Sequence, residues 1–398
     1  MSLNNLMKFI FAAAIGLMSA TAASAGNIRV GVILGFTGPI ESLTPTMANS
    51  AELAFKEASD SRLLLGGDYI VPMRADSTCV DADAATAAAE RLITSDEVVA
   101  IYGADCSGVT TAIANSVAIP NGVSMISPSA TSPALTDIND NGLFFRTAPS
   151  DARQGEIVAK ILIEKGHKKA AMTFTNNDYG KGLAESIKKN YQSMGGKITI
   201  SASHEDGKAD YGAEVSALAQ AGGDILIVAG YLDQGGKGVI QGSLDAGAFD
   251  KFFLPDGMIG DSLPKAIGPD LNGSIGSIPG TDSPGAKKFA SLAKSSGFKA
   301  GPFSQESYDA AALIILAMQS AKSTKSKDLK NHVMDVANAP GEKIYPGELA
   351  KGIDLLKKGK QIDYVGASAV ELIGGGESSG SFREILIKGG KVTTAGYR

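Results

Sequence analysis

The chain has 398 residues, three histidines and two cysteines. His167, His204 and His332 stand in lysine-rich or polar contexts without a metal-like partner at helical spacing, which leaves a metal centre no ligand set to draw on. There is no HExxH, no GxSxG elbow and no GxxxxGK[ST] phosphate loop, so the common routes to metal, serine and nucleotide catalysis lack their signatures. Lysine and arginine number 37 against 42 aspartates and glutamates, a formal charge of -5 with no block of one sign. Nucleic acid binding therefore has no electrostatic footprint. After the N-terminus the longest apolar run is AALIILAM at 311–318, well short of the roughly 18 residues a membrane span needs.

The first 28 residues carry one charge, Lys8, followed by FIFAAAIGLM and then ASA at 23–25. This pattern is that of a secretory leader cleaved after Ala25, residues 1–25, and it places the mature chain in a periplasm or outside the cell. In an exported chain, the single pair Cys79 and Cys106 invites a disulfide, with two separate buried thiols as the alternative. A bridged loop of that length stabilises by roughly 3 to 4 kcal/mol in the chain-entropy picture. Both cysteines follow apolar strand patterns, YIVPMRADSTC and VVAIYGADC, and are expected just past the ends of neighbouring strands.

β-rich runs alternate with helical patterns: IRVGVIL then TMANSAELAFKEAS, YIVPMRA then DAATAAAERLIT, VVAIYGA then GVTTAIANSVAI. The alternation predicts an α/β fold with parallel sheets covered on both faces. It resumes after Asp151, which predicts two similar lobes with a boundary near Thr147–Asp151. The helix SYDAAALIILAMQSAKS reads as core-facing, and the turn-rich C-terminal stretch as an antiparallel ribbon.

Polar and aromatic residues recur just after the strands, where ligands of open parallel sheets bind. They are Ser107, placed at a helix N-cap, Ser129 and Thr131 in SPSATSPALT, Tyr179 in NNDYG, Tyr231 in AGYLDQGG, and Asp256 in LPDG. Singly, each is an ordinary turn or cap residue.

In their order, IRVGVILGFTGP, DCSGVTTAIA, MISPSATSPALT, FRTAPSDARQG, NDYGKGLAESIK, GYLDQGG and YDAAAL resemble the leucine/isoleucine/valine-binding type of periplasmic amino-acid-binding protein. The resemblance implies a type I periplasmic binding fold, two Rossmann-like lobes joined by three crossovers, and a Cys79–Cys106 disulfide. Its lobes would be residues 26–148, then 149–278, a return to the first over 279–345, and a return to the second with a C-terminal extension over 346–398. Matched motif by motif, it implies that Ser107 binds a ligand carboxylate and that Thr131 and the Ser129 carbonyl also contact the ligand. Tyr179 and Tyr231 would close over it, and Asp256, where the family commonly has glutamate, would pair with its ammonium. A buried zwitterion needs both ends matched, since either charge unpaired costs several kcal/mol.

The side-chain pocket departs from the family pattern. Leu43 and Asp105 stand where an aromatic residue and a leucine are usual, Phe303 matches an aromatic, and Glu306 adds an acid nearby. The expected function is non-enzymatic and cofactor-free: capture of a small branched-chain or other neutral amino acid by a freely diffusing monomer, for delivery to an ATP-driven permease. The alternatives are a polar or cationic amino acid, an aromatic or short carboxylic acid, or presentation of the closed form to a receptor.

Overall fold

The computed structural model describes residues 26–398; the leader expected over residues 1–25 lies outside the described residues. Two seven-stranded sheets form the cores of two lobes. The first lobe contains β1 (Asn27–Leu34), β2 (Tyr69–Asp76), β3 (Ala100–Gly103), β4 (Ser124–Ser127) and β5 (Phe144–Pro149). The second contains β6 (Lys169–Thr175), β7 (Lys197–His204), β8 (Ile225–Ala229), β9 (Phe252–Leu254) and β10 (Ile275–Pro279). Their parallel parts run in the same order, β2-β1-β3-β4-β5 and β7-β6-β8-β9-β10. Each half is thus one α/β unit built twice.

The sequence explains which strands sit inside. AIYG, SMIS and ILIVA, strands β3, β4 and β8, are buried at every residue, as continuous apolar or small runs between two helical layers should be. β2 and β7 are edge strands and expose several positions; Pro72 is accommodated on β2 because an outer edge needs no N–H there.

Helices α1 (Thr44–Ser61), α2 (Ala82–Thr94) and α3 (Ser107–Ile113) cover the first sheet, and α4 (Asp151–Glu164), α5 (Asp178–Ser193), α6 (Gly212–Ala221), α7 (Gly235–Asp245) and α8 (Ser262–Ile267) the second. The chain then returns to the first lobe with α9 (Pro284–Ser295) and α10 (Ser304–Ala321). Residues Glu306–Gln319 of α10 are all buried, because this helix packs against β3, β4 and β5 on one side and α1 on the other. At roughly 1.5 to 3 kcal/mol per buried aliphatic side chain, its LIIL core is a main anchor of the lobe.

The C-terminal part differs from the expected division at residue 346. After the short helices α11 (Ser326–Leu329) and α12 (Val333–Ala337), β11 (Glu342–Ile344) pairs in parallel with β12 (Ile362–Tyr364) around α13 (Leu349–Lys357), which packs on α10 and α1. β13 (Leu372–Ile373) and β14 (Glu377–Ser378) then extend the first sheet beyond β5. Residues through Ser378 therefore belong to the first lobe, and only the hairpin β15 (Phe382–Lys388) and β16 (Lys391–Tyr397) joins the second sheet, antiparallel to β10. Asp309 draws this segment inward: its buried carboxylate accepts from the Tyr364 and Ser368 hydroxyls and from the Ala367 and Ser368 N–H groups at 2.6–2.7 Å.

The chain crosses between lobes three times, after Pro149, after Pro279 and after Ser378. The crossings lie together. The Gly280 N–H donates to the Ser381 carbonyl at 3.0 Å, and Gly380, at φ 50°, sits so close to Pro149 that a β-carbon would come within 2.6 Å of its ring.

A candidate ligand cleft between the lobes

In the first lobe, strand order reverses between β1 and β3, the place where loops diverge and leave a crevice. Gly103 ends β3 at φ 121°, and a β-carbon there would lie 2.1 Å from the Ile33 carbonyl, so only glycine lets the chain turn so tightly against β1. Asp105, Cys106 and Ser107 follow. Cys106 is bonded to Cys79, with 5.2 Å between their Cα atoms and 27 positions between them in sequence. The two strands concerned, β2 and β3, are not neighbours as expected but flank β1; the bridge thus spans the loops above three strands.

Ser107 is not the N-cap. That position belongs to Cys106, which caps nothing with its side chain, and Ser107 is the first helical residue. Its Oγ accepts the Ser132 N–H at 3.1 Å, which leaves the hydroxyl proton free to donate. Asp105 lines the cleft, but its carboxylate braces the loops: Oδ2 accepts from the Gly35 N–H at 2.8 Å, Oδ1 from the Cys106 N–H at 3.0 Å and the Ser77 hydroxyl at 3.3 Å. Burial still pushes its pKa up to about 6 against these donors. The Ser129 hydroxyl donates to the Asp105 carbonyl at 3.0 Å, while that of Thr131 is buried without a partner.

In the second lobe, Asn177 caps α5 by accepting the Gly180 N–H at 3.1 Å and so sets Tyr179 in the first turn. The Tyr179 hydroxyl donates to Asp256 Oδ1 at 2.7 Å and accepts the Gly257 N–H at 3.1 Å. Tyr231 stacks on Tyr179 with ring centres 5.2 Å apart and planes 15° from parallel, and its buried hydroxyl has no partner. Asp256 is 1 % exposed. Burial pushes its carboxyl up to about 6, although the Tyr179 hydroxyl and the Gly257 N–H pull it down.

Eleven residues line the space between the lobes: Ile40, Leu43, Asp105, Cys106, Ser107, Ser129 and Phe303 from the first, with Tyr179, Tyr231, Asp256 and Gly257 from the second. Two are acids and none is a cation. The cavity is about 20 Å³, room for about one water, so a leucine-sized molecule requires the lobes to part. They meet across its mouth, where Asp233 Oδ2 accepts the Ser42 N–H at 3.0 Å, the Asp233 N–H donates to the Pro39 carbonyl at 3.0 Å, and the Ser42 hydroxyl donates to the Ser262 hydroxyl at 3.1 Å.

Thr131 and Glu306 lie outside this lining. Glu306 is buried in the first turn of α10, where burial pushes it up to about 7. Sequence reasoning missed Ile40, Gly257 and the mouth contacts. Gly257 could have been suspected from its place beside Asp256; the others carry no local signal. Among the described residues no helix is long and apolar enough to cross a membrane, and no group of histidine, cysteine and acidic residues is arranged to hold a metal.

The sequence profile of the family described as periplasmic binding protein matches residues 27–341. The chain belongs to this family. Among its relatives, Leu/Ile/Val-binding protein homolog 1 of Brucella melitensis is 29% identical over 323 residues, 80% of this chain and 83% of that protein. A leucine-binding protein from Thermotoga maritima superposes with a TM-score of 0.80 at 21% identity, covering 93% of this chain and 98% of its own. A solute-binding protein of an R. palustris ABC transporter, in complex with benzoate, superposes with a TM-score of 0.76 at 19% identity, covering 94% and 96%. At these identities the two structures establish a shared two-lobed periplasmic binding fold.

Proposed function

We propose that this periplasmic binding protein is exported by its leader, captures a small neutral amino acid between its lobes, and hands it to the membrane permease of an ATP-driven importer. The observation that carries this reading is the polarity of the cleft: a hydroxyl donor, Ser107, faces it from one lobe and a buried acid, Asp256, from the other, with no cation between. A zwitterion meets both demands. Its carboxylate takes the Ser107 proton, and its ammonium neutralises a carboxylate that burial otherwise penalises.

Ile40, Leu43 and Phe303 supply an apolar wall for the side chain, and Asp105 beside them has its oxygens occupied by protein donors. That favours leucine, isoleucine or valine over a cationic amino acid, in line with the names of the relatives. Capture works by hinge closure: a ligand touching both lobes stabilises the closed form, in which Pro39–Ser42 meets Asp233 and Ser262.

One observation favours a second reading. The benzoate complex shows that this fold accommodates an acid without an amine, and the stacked Tyr179–Tyr231 pair, which lines the same cavity as Phe303, offers a ring somewhere to lie. A thermal-shift screen of the mature protein against the twenty common amino acids, benzoate, 4-hydroxybenzoate and short aliphatic acids separates the two. A ligand at 100 times its Kd adds about 2.7 kcal/mol. Shifts from leucine, isoleucine or valine support the first reading; shifts from amine-free acids alone overturn it.

A further inference from the structure

Helix α10 runs through the first lobe from the ligand cleft to the lobe's far end. It begins beside Phe303, which lines the cleft, and its 18 residues to Ala321 span about 27 Å. Lys322 follows, and α13, which packs alongside, ends at Lys357. Residues 322–360 carry nine lysines against five acids in a chain whose formal charge is -5. An acidic protein thus has one basic end.

Two adjoining grooves open there. One, of about 640 Å³, is lined by Lys322, Lys325 and Lys357 together with Thr324, Gly66 and Asp68. The other, of about 590 Å³, shares Lys322 and adds Lys360 and His332 against Asp335. All four lysines are exposed. Among the described residues none of them forms an ion pair, whereas Lys351 and Lys358 pair with Glu342 and Asp354. The acids nearby are engaged elsewhere: Glu348 with Lys288, Asp328 with the Ser323 hydroxyl at 2.7 Å, and Asp68 with the Gly26 N–H at 2.7 Å.

A lysine at a helix C-terminus offsets the macrodipole, which accounts for Lys322 and for Lys357 taken singly. It does not account for four unpaired cations at one end of a lobe, whose mutual repulsion only an anionic partner relieves. The grooves are open and the cations are spread over both, which suits an array of phosphates better than one small anion. Tyr69, next to Asp68 in the chain, is 40% exposed, and a tyrosine ring sits well where an apolar phase meets water.

We propose that this end of the first lobe is a docking surface for an anionic phospholipid membrane, with headgroup phosphates at Lys322, Lys325, Lys357 and Lys360. The acidic remainder of the protein is repelled by the same membrane, so the molecule stands end-on. The cleft, at the other end of α10, stays uncovered. The inference does not depend on which ligand the cleft holds.

The test is co-sedimentation of the mature protein with vesicles of equal parts phosphatidylglycerol and phosphatidylcholine, and with vesicles of phosphatidylcholine alone. Wild type should bind the first kind only, and should leave it at about 0.5 M salt, where charges are screened within a few Å. A lysine at an anionic surface is worth roughly fivefold in affinity. The triple variant Lys322→Gln, Lys325→Gln, Lys357→Gln should therefore bind roughly 100-fold more weakly, with its melting temperature and its thermal shift by the cleft ligand unchanged. The same charge change on α5 of the second lobe, Lys181→Gln, Lys188→Gln, Lys189→Gln, should leave vesicle binding as in wild type. If the first triple variant melts early, Lys325→Gln alone, outside α10 and α13, should still lose roughly fivefold.

Equal binding of wild type to both kinds of vesicle, binding to neither, or equal losses in the two triple variants overturns the proposal. Release of bound wild type by inorganic phosphate at constant ionic strength also overturns it, in favour of a free anion in the groove.

Discussion

Replacing Asp256 by asparagine should change stability and affinity in opposite directions. Asp256 titrates near 6 because burial disfavours its charge, about 2 units above the ordinary value and so roughly 3 kcal/mol. For an acid whose folded pKa is raised, this stability is fully present below the unfolded pKa of about 4 and is lost as pH rises through about 6. The groups facing Asp256 are Tyr179, the Gly257 N–H, Gln154 and Asp151, and an asparagine can keep the first two bonds through its oxygen while its amide donates toward Asp151. The ligand-free variant should therefore melt higher than wild type at pH 8, with the difference fading by pH 4. Affinity should fall: taking one partner from a buried ion pair costs 3 to 5 kcal/mol, about 150- to 4000-fold in Kd. Melting curves at pH 5 and 8 with calorimetric titration at pH 8 measure both. Unchanged affinity would remove Asp256 from the amine site, and a lower melting temperature at pH 8 would show that its charge is well solvated by its donors, contrary to the account above.

Gly257→Ala places a β-carbon 2.6 Å from the Gly230 carbonyl and 2.8 Å from the Tyr179 hydroxyl; strain of about 1 to 3 kcal/mol and at least a tenfold loss of affinity are expected, and normal melting with normal titration would contradict the packing described. The double variant Cys79→Ser, Cys106→Ser frees the loops flanking β1 and should lose about 3 kcal/mol in chemical denaturation, with a midpoint no longer sensitive to reductant; no loss would mean that Asp105 alone holds those loops. Asp233→Ala removes a mouth contact outside the cavity and should weaken binding about 2- to 10-fold, chiefly through faster dissociation in stopped-flow experiments. A larger effect on association than on dissociation would count against its role in closure.

Hydrophobic patterning made much of this architecture legible, since strand and helix periods survive in a single sequence. The cavity-lining positions Ser107, Tyr179, Tyr231 and Asp256 were visible because each follows a recognisable strand, and strand ends are where such folds place ligands. The C-terminal assignment failed for a physical reason. β13 and β14 have two residues each, separated by three glycines, and what holds them is pairing with a strand more than 200 positions earlier, which leaves no periodicity to read. The Cys79–Cys106 geometry was misjudged because strand order is a tertiary property.

The three crossings have a mechanical consequence. A single linker is a thread that lets two bodies swivel, but three links side by side, laced by the Gly280–Ser381 bond and by Arg146 reaching from β5 to Glu377 on β14, behave as a strap. A strap bends about one line and resists torsion. Lobes joined in this way swing along a fixed arc, and the Ser42–Asp233 contact at the rim is remade in the same register at every stroke.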